Sequence, residues 1–253
     1  MRAPDSKPVL EPHPAPLPHP PGLTGREALF LDFDGTLTPI VSTPDAVRVD
    51  PALPALLDHL STRLGGALAL LTGRPLAQVD ELLGVRLPGA GVHGLEFRAS
   101  SEGPITYLGP QWPLNPVKNA LATILEADSR LLLETKPGSV ALHYRAAPER
   151  AEELAAMAAD VVSRHRDLTL LHGDCVLEIK PTGFDKGRAM AMFLGLDPWS
   201  GRLPVAVGDD VTDEDAFRQA ATIGGYGIKI GRAPTQAQYR LATTVELVAW
   251  LRR

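Results

Sequence analysis

The sequence predicts an α/β protein in which a doubly wound parallel sheet carries an inserted α+β cap. Three observations lead there. Short apolar runs alternate with helical stretches from Ala28 to Val92, the same alternation resumes at Lys186 and continues to the C-terminus, and between these blocks the order changes to α-β-β-α-β-β. Alternating strands and helices build a parallel sheet covered on both faces, whereas two αββ units build an antiparallel sheet covered on one.

The chain opens on MRAPDSKPVLEPHPAPLPHPPGLT, which holds eight of its 24 prolines. Proline lacks the N–H that a ladder or helix needs, so residues 1–24 are expected to form a disordered or extended tail without chemistry. Strands are then expected in ALFLD (28–32), ALALLT (67–72) and PGAGV (88–92), and helices in ALPALLDHLSTRL (52–64) and PLAQVDELL (75–83). Asn115-Pro116 makes a helix start, with Val117, Leu121, Ile124 and Leu125 on one face. The strands LLLETK (131–136) and VALHYR (140–145) follow, joined through Pro137-Gly138, which suits a type II turn. Pro148 opens a second helix, after which come the strands LTLLHG (168–173) and CVLEIK (175–180). The helix KGRAMAMFLGL (186–196), the strand PVAVGDD (204–210), the helix EDAFRQAA (214–221), the strand GYGIKIG (225–231) and the helix TTVELVAWLRR (243–253) complete the pattern. The expected division is a Rossmann-like core over 25–105 and 182–253, interrupted by a cap over 106–181.

Composition narrows the function classes. A content of 44% hydrophobic and 22% charged residues is that of an ordinary globular protein. The formal net charge of −5 argues against a binder of nucleic-acid backbones, which usually carries a basic patch. Cys175 is the only cysteine, so no intrachain disulfide can form; a reducing compartment fits, and the expected role is a small buried side chain in a strand. No apolar run approaches the ~18 residues of a membrane span, and residues 1–22 lack the apolar core of a secretory signal. The expectation is a cytoplasmic monomer with neither nucleic acid nor membrane as partner.

Two strand ends carry acids. Leu29-Phe30-Leu31-Asp32-Phe33-Asp34-Gly35-Thr36 closes an apolar run with two aspartates, and Val205-Ala206-Val207-Gly208-Asp209-Asp210-Val211-Thr212-Asp213-Glu214-Asp215 does likewise. Ligands of doubly wound sheets bind beyond the carboxyl ends of strands. Taken singly, the first segment also reads as an Asx turn, and Glu214 and Asp215 as acids favoured in a helix's first turn. Neither reading accounts for Asp209 and Asp210. If both strands are central, carboxylates about 4 Å apart repel by roughly 4 kcal/mol at an effective dielectric near 20, and three of them need a cation. Hard oxygen ligands with room left for water and a phosphate favour Mg2+. Leu70-Leu71-Thr72-Gly73-Arg74-Pro75 adds a hydroxyl at a third strand end and the free N–H groups of a starting helix, which suit an anion. A plain strand–turn–helix connection has the same look. Lys186, in Gly183-Phe184-Asp185-Lys186-Gly187, taken alone reads as a solvated surface charge.

Together, DFDGT, LLTGR, the lysine of DKG and GDD-x-TDE resemble, in order and spacing, the four motifs of haloacid dehalogenase-type phosphatases. The resemblance spans Asp32 to Asp213. It implies that Asp32 attacks phosphorus and forms an aspartyl phosphate, and that Asp34 protonates the departing oxygen and then activates water. It implies that Thr72, with Gly73 beside it, and Lys186 hold the phosphoryl oxygens. It also implies Mg2+ bound by the Asp32 side chain, the Asp34 backbone carbonyl and the Asp209 side chain, with Asp213 in support and Asp210 a lesser candidate.

Period two places Glu134 with Lys136 on one face of their strand, His143 with Arg145 on one face of the next, and Glu178 with Lys180 on one face of the last. The solvated face of an antiparallel sheet accounts for scattered polar residues; this composition also suits a polyhydroxylated ligand. With Val92-His93-Gly94-Leu95-Glu96, Glu134-Thr135-Lys136, His143-Tyr144-Arg145 and Glu178-Ile179-Lys180-Pro181, the chain from about Leu29 to Trp250 is similar to trehalose-6-phosphate phosphatases. That implies hydrolysis of trehalose 6-phosphate to trehalose and phosphate, a step of trehalose biosynthesis. It implies Glu134, Lys136, Glu178 and Lys180 on the distal glucose, with His143 and Arg145 as further candidates. His93 and Glu96 read equally as hinge residues, and Arg74 either touches the phosphate or faces solvent. The alternatives are a phosphatase for sucrose 6-phosphate or a mannosyl phosphoglycerate, a phosphotransferase or mutase using the same aspartyl phosphate, and a catalytically idle sugar-binding module.

Overall fold

Two sheets organise the chain, in a computed structural model that describes residues 17–41, 43, 46–110 and 114–253, with the backbone alone for 122–127. The larger sheet is built from β1 (Glu27–Leu31), β2 (Leu68–Leu71), β3 (Gly89–Gly91), β4 (Glu96–Arg98), β5 (Thr106–Tyr107), β10 (Leu203–Gly208), β11 (Tyr226–Ile230) and β12 (Tyr239–Leu241). Its order is β12-β11-β10-β1-β2-β3-β4-β5, parallel from β12 to β3 and antiparallel beyond. The chain winds outward from β1 through β2 and β3, then returns to add β10 on the other side. The direction of winding therefore reverses between β1 and β10, the place where doubly wound sheets bind ligands.

All five residues of β1 are buried, and their alternation feeds two cores. Leu29 and Leu31 face α1 (Leu53–Arg63), α2 (Leu76–Leu83) and α7 (Thr244–Leu251) through Leu57, Leu60, Val79, Leu247 and Trp250. Ala28 and Phe30 face α5 (Lys186–Leu194) and α6 (Glu214–Thr222) through Met190, Phe193 and Phe217. Burial on both faces leaves β1 no freedom to slip, because a one-residue shift would exchange the leucines with Ala28 and Phe30.

The smaller sheet has the order β6-β7-β9-β8, from β6 (Leu132–Lys136), β7 (Ser139–His143), β8 (Leu168–Gly173) and β9 (Val176–Pro181). One face is closed by α3 (Asn115–Ala127) and α4 (Ala151–Ser163), with Val117, Leu121, Leu154 and Ala158 packed on Val140, Leu142, Leu177 and Ile179. The register Glu134↔Ala141↔Glu178 and His143↔Val176 puts the polar residues on the open face. This is the α/β fold with an αββαββ cap that the sequence predicts.

Several details differ from expectation. Residues 17–24 are tied down: the Pro18 carbonyl accepts from the Arg240 N–H at 3.0 Å, and the Pro21 carbonyl from the Trp250 indole at 2.8 Å. A proline lacks the donor but keeps its acceptor, and these contacts use only acceptors. Residues 1–16 lie outside the described residues, as do the side chains of Ile124 and Leu125. Thr106–Tyr107, placed at the start of the cap by the sequence, is the edge strand of the larger sheet. Cys175 is half-buried in the β8–β9 turn with φ 57°, not inside a strand. Arg145 lies in the turn after β7, which stops at His143. No helix among the described residues is long and apolar enough to cross a membrane.

Candidate active site

The parallel register Leu31↔Val207 brings the ends of β1 and β10 level, and the Asp32 N–H donates to the Val207 carbonyl at 2.9 Å. Asp32, Asp209 and Asp213 are thereby gathered, each offering a carboxylate oxygen within 4.8 Å of the others. Lys186, at the first turn of α5, is buried and donates to Asp32 Oδ1 at 2.6 Å and to Asp213 Oδ1 at 2.7 Å. The other Asp213 oxygen accepts from the N–H groups of Asp209 and Asp210, both at 3.0 Å. Asp213 is thus a bracket that fixes the Asp209 loop and the Lys186 ammonium. Lys229, buried in β11, donates to the Asp209 backbone carbonyl.

The charge of this cluster is not balanced from within. Burial, with Asp213 and Asp209 beside it, pushes the Asp32 carboxyl well above the ordinary range despite Lys186. Burial and Asp213 push Asp209 up to about 6. Burial opposes charge on Lys186 too, but Asp213 and Asp32 outweigh it and raise its pKa. Three hard carboxylates meeting one ammonium fit a divalent cation such as Mg2+. The backbone respects that space: Gly35 holds φ 77°, and a Cβ there would come within 2.1 Å of Asp209 Oδ2.

Asp34 lies across from this cluster, its carboxylate held by Arg74 through Nε at 2.6 Å and a terminal nitrogen at 2.8 Å. Arg74 is buried and so does not face solvent, and it lines the cavity beside Asp32. It makes a bidentate fork with the second aspartate, and Phe33 lies against its guanidinium. Thr72, at the end of β2, is buried and its hydroxyl accepts from the Arg74 N–H at 3.1 Å. Gly73 lines the cavity.

A cavity of about 210 Å³ joins part of this site to the open face of the cap; Thr72, Asp209 and Asp213 are outside its lining. Asp32, Asp34, Gly73, Arg74 and Lys186 line it from the core, and Glu134, Lys136, His143, Arg145 and Glu178 from the cap. Glu178 is the hub of the cap cluster. Its Oε2 accepts from Lys136 at 2.9 Å and meets His93 Nε2 at 3.2 Å, while Oε1 accepts from Ser139 at 2.6 Å. Burial pushes this carboxyl up, but Lys136 and His93 outweigh it and hold it well below the usual range. Lys136 also donates to the Gly73 carbonyl at 3.1 Å, crossing from cap to core. His143 pairs with Glu134 at 2.8 Å.

Two candidates are held by partners of their own. Arg145 is at the rim, bonded to Asp174 at 2.9 Å. Lys180 shares the face of Glu178, yet its ammonium is buried and donates to the Phe184 carbonyl, away from the cavity lining. Sequence reading missed Ser139 and Lys229. A lysine inside the apolar run GYGIKIG is a signal for a buried charge; Ser139 carries no comparable mark.

The trehalose-phosphatase family model matches residues 30–244. A probable trehalose-phosphate phosphatase of Sinorhizobium fredii is 45% identical over 206 residues, covering 81% of this chain and 77% of its own. The trehalose-6-phosphate phosphatase of Escherichia coli is 39% identical over 238 residues, 93% of this chain and 89% of its own. In fold, the C-terminal domain of the Candida albicans trehalose-6-phosphate phosphatase superposes with a TM-score of 0.82 at 21% identity, over 94% of this chain and 98% of that one. The chain is a phosphatase and belongs to the trehalose-phosphatase family.

Proposed function

We propose that the chain hydrolyses trehalose 6-phosphate to trehalose and phosphate, a step of trehalose biosynthesis, through an aspartyl phosphate on Asp32 and with Mg2+. The observation that carries this reading is one cavity lined on one side by Asp32 and Lys186 and on the other by Glu134, Lys136 and Glu178. The first set suits a phosphoryl group, the second a ring of hydroxyls.

Asp32 attacks phosphorus, and the bond from phosphorus to the sugar oxygen breaks as the aspartyl phosphate forms. Asp34 gives the leaving oxygen its proton. Water then attacks phosphorus, Asp34 takes a proton from it, and the bond to Asp32 breaks. Each Asp34 oxygen accepts one bond from Arg74, which leaves each a second lone pair to carry the transferred proton. Lys186 and the loop at Thr72 and Gly73 hold phosphoryl oxygens and stabilise charge as it develops. The Asp32 and Asp209 side chains and the Asp34 carbonyl would hold Mg2+, with Asp213 bracing them. The ion supplies charge neutralisation at the phosphoryl group.

On the cap, Glu178 has three of about four acceptor sites filled. The remaining site on Oε1, and a remaining donor on Lys136, are free to meet hydroxyls of the distal glucose. Glu134 and His143 extend that surface. A cytoplasmic monomer with only this small-molecule partner completes the reading. Phosphate release from a panel of sugar phosphates, with and without Mg2+, tests it. Trehalose 6-phosphate should exceed sucrose 6-phosphate and glucose 6-phosphate by at least tenfold in kcat/KM, a margin that distal-ring contacts supply. Equal rates across the panel would refute the substrate.

A further inference from the structure

His93 stands where the two sheets meet. Its N–H donates to the Thr72 carbonyl and that of Val92 to the Arg74 carbonyl, both at 3.0 Å, so this segment grips both ends of the Thr72–Arg74 loop. The buried imidazole lies directly on Gly73, where a Cβ would come within 2.7 Å of Nε2. From there Nε2 reaches Glu178 of the cap.

The backbone is bent to achieve this. Val92 and His93 hold left-handed φ values of 46° and 53°, rare for any side chain and more so for a β-branched one. Strain of this kind persists where the surroundings over-determine it, and it clusters at functional sites. Here it aims two successive N–H groups at the loop and the ring at the cap. Nδ1 has no partner among the described residues, so the ring's one hydrogen bond there is the one to Glu178, with Nε2 as donor.

Resting on the reading that Glu178 holds the distal sugar, we propose that His93 is a positioning residue that latches this carboxylate to the phosphate-binding loop and thereby sets selection of the disaccharide phosphate over smaller esters. Lys136 makes the companion contact, from the same carboxylate to the Gly73 carbonyl. The loop is therefore clasped from two sides when cap and core meet. A hydroxyl arriving at Oε1 finds a carboxylate already oriented by three donors. An unlatched Glu178 would have to be ordered at the moment of binding, at a cost in affinity.

The test compares trehalose 6-phosphate with p-nitrophenyl phosphate, both with Mg2+, in the wild type and His93→Asn. Asparagine tolerates left-handed backbone but is too short to reach Glu178 in the same way. Loss of a hydrogen bond to a charged group should lower kcat/KM for trehalose 6-phosphate about ten- to a hundredfold, chiefly through KM. Hydrolysis of the small ester should fall less than about threefold, since its binding does not call on Glu178. Equal losses on both esters, or none on trehalose 6-phosphate, overturn the latch. A wild type without preference for trehalose 6-phosphate instead overturns the reading of Glu178. If the Asn variant melts too low to assay, His93→Gln carries the same comparison with a smaller expected loss. In combination with Glu178→Gln the losses should overlap; full additivity contradicts the proposal.

Discussion

The core cluster and the cap cluster face one cavity but are built on opposite terms. In the core, Lys186 pairs with Asp32 and Asp213 while the Asp209 carboxylate has no ammonium bonded to it among the described residues, and burial raises the pKa of both Asp32 and Asp209. In the cap, Glu178 has three donors and Glu134 pairs with His143, and both carboxyls sit below their ordinary range. The cap satisfies itself and has a few sites to spare, which suits a neutral sugar. The core is left short of positive charge, which suits a cation and a reaction that moves charge.

That contrast breaks most sharply at Asp32. Asp32→Asn keeps the shape of the side chain and removes the nucleophile, so turnover should fall roughly 10⁴-fold or more, with little change in melting temperature. Residual activity above about 1% would place the nucleophile elsewhere. At Lys136 the effect should depend on the substrate. Lys136→Met keeps the stem but leaves Glu178 without its main counter-charge, and kcat/KM for trehalose 6-phosphate should drop about 10²-fold. A small aryl phosphate should lose much less; a uniform drop would mean that Lys136 serves the core.

A smaller effect separates the clusters by their response to Mg2+. The Asp209 pKa is raised in the fold, so without a cation its favourable contribution is present below about pH 4 and lost as pH rises through about 6. Bound Mg2+ favours the charged form. The gap in melting temperature between Mg2+ and chelator should therefore widen from pH 4 to 7, reaching on the order of 5 °C. A gap independent of pH, or one that survives in Asp209→Asn, would argue against this ligand. The smallest effect lies far from both clusters. Trp250→Phe removes the bond to the Pro21 carbonyl and should cost about 1 kcal/mol in denaturant unfolding without altering kcat.

What the sequence reveals follows the same division. The core motifs are legible because each is a local pattern, an apolar strand ending in a fixed polar residue, and the winding of the sheet brings the ends together. The face shared by Glu134, Lys136, His143 and Glu178 is legible because strand side chains alternate. Partners joined across the fold are not. Nothing local announces that Arg74 forks onto Asp34, that His93 reaches Glu178, or that Lys180 turns to Phe184 instead of the cavity. The strands β4, β5 and β12 are two or three residues long, too short for periodicity to register. The bond of Trp250 to Pro21 spans 229 positions, so a proline-rich stretch that reads as a loose tail is partly anchored.

The claim on which all else depends is that phosphorus passes through Asp32. In Asp34→Asn, p-nitrophenyl phosphate can still react, because nitrophenolate leaves without a proton, whereas the water that must follow lacks its base. Acid-quenched samples of this variant with Mg2+, digested and weighed by mass spectrometry, should carry a phosphoryl group on the peptide containing Asp32, and none in the Asp32→Asn/Asp34→Asn double variant. A phosphoryl group on another residue, or phosphate released with no labelled peptide at any time, would contradict the account.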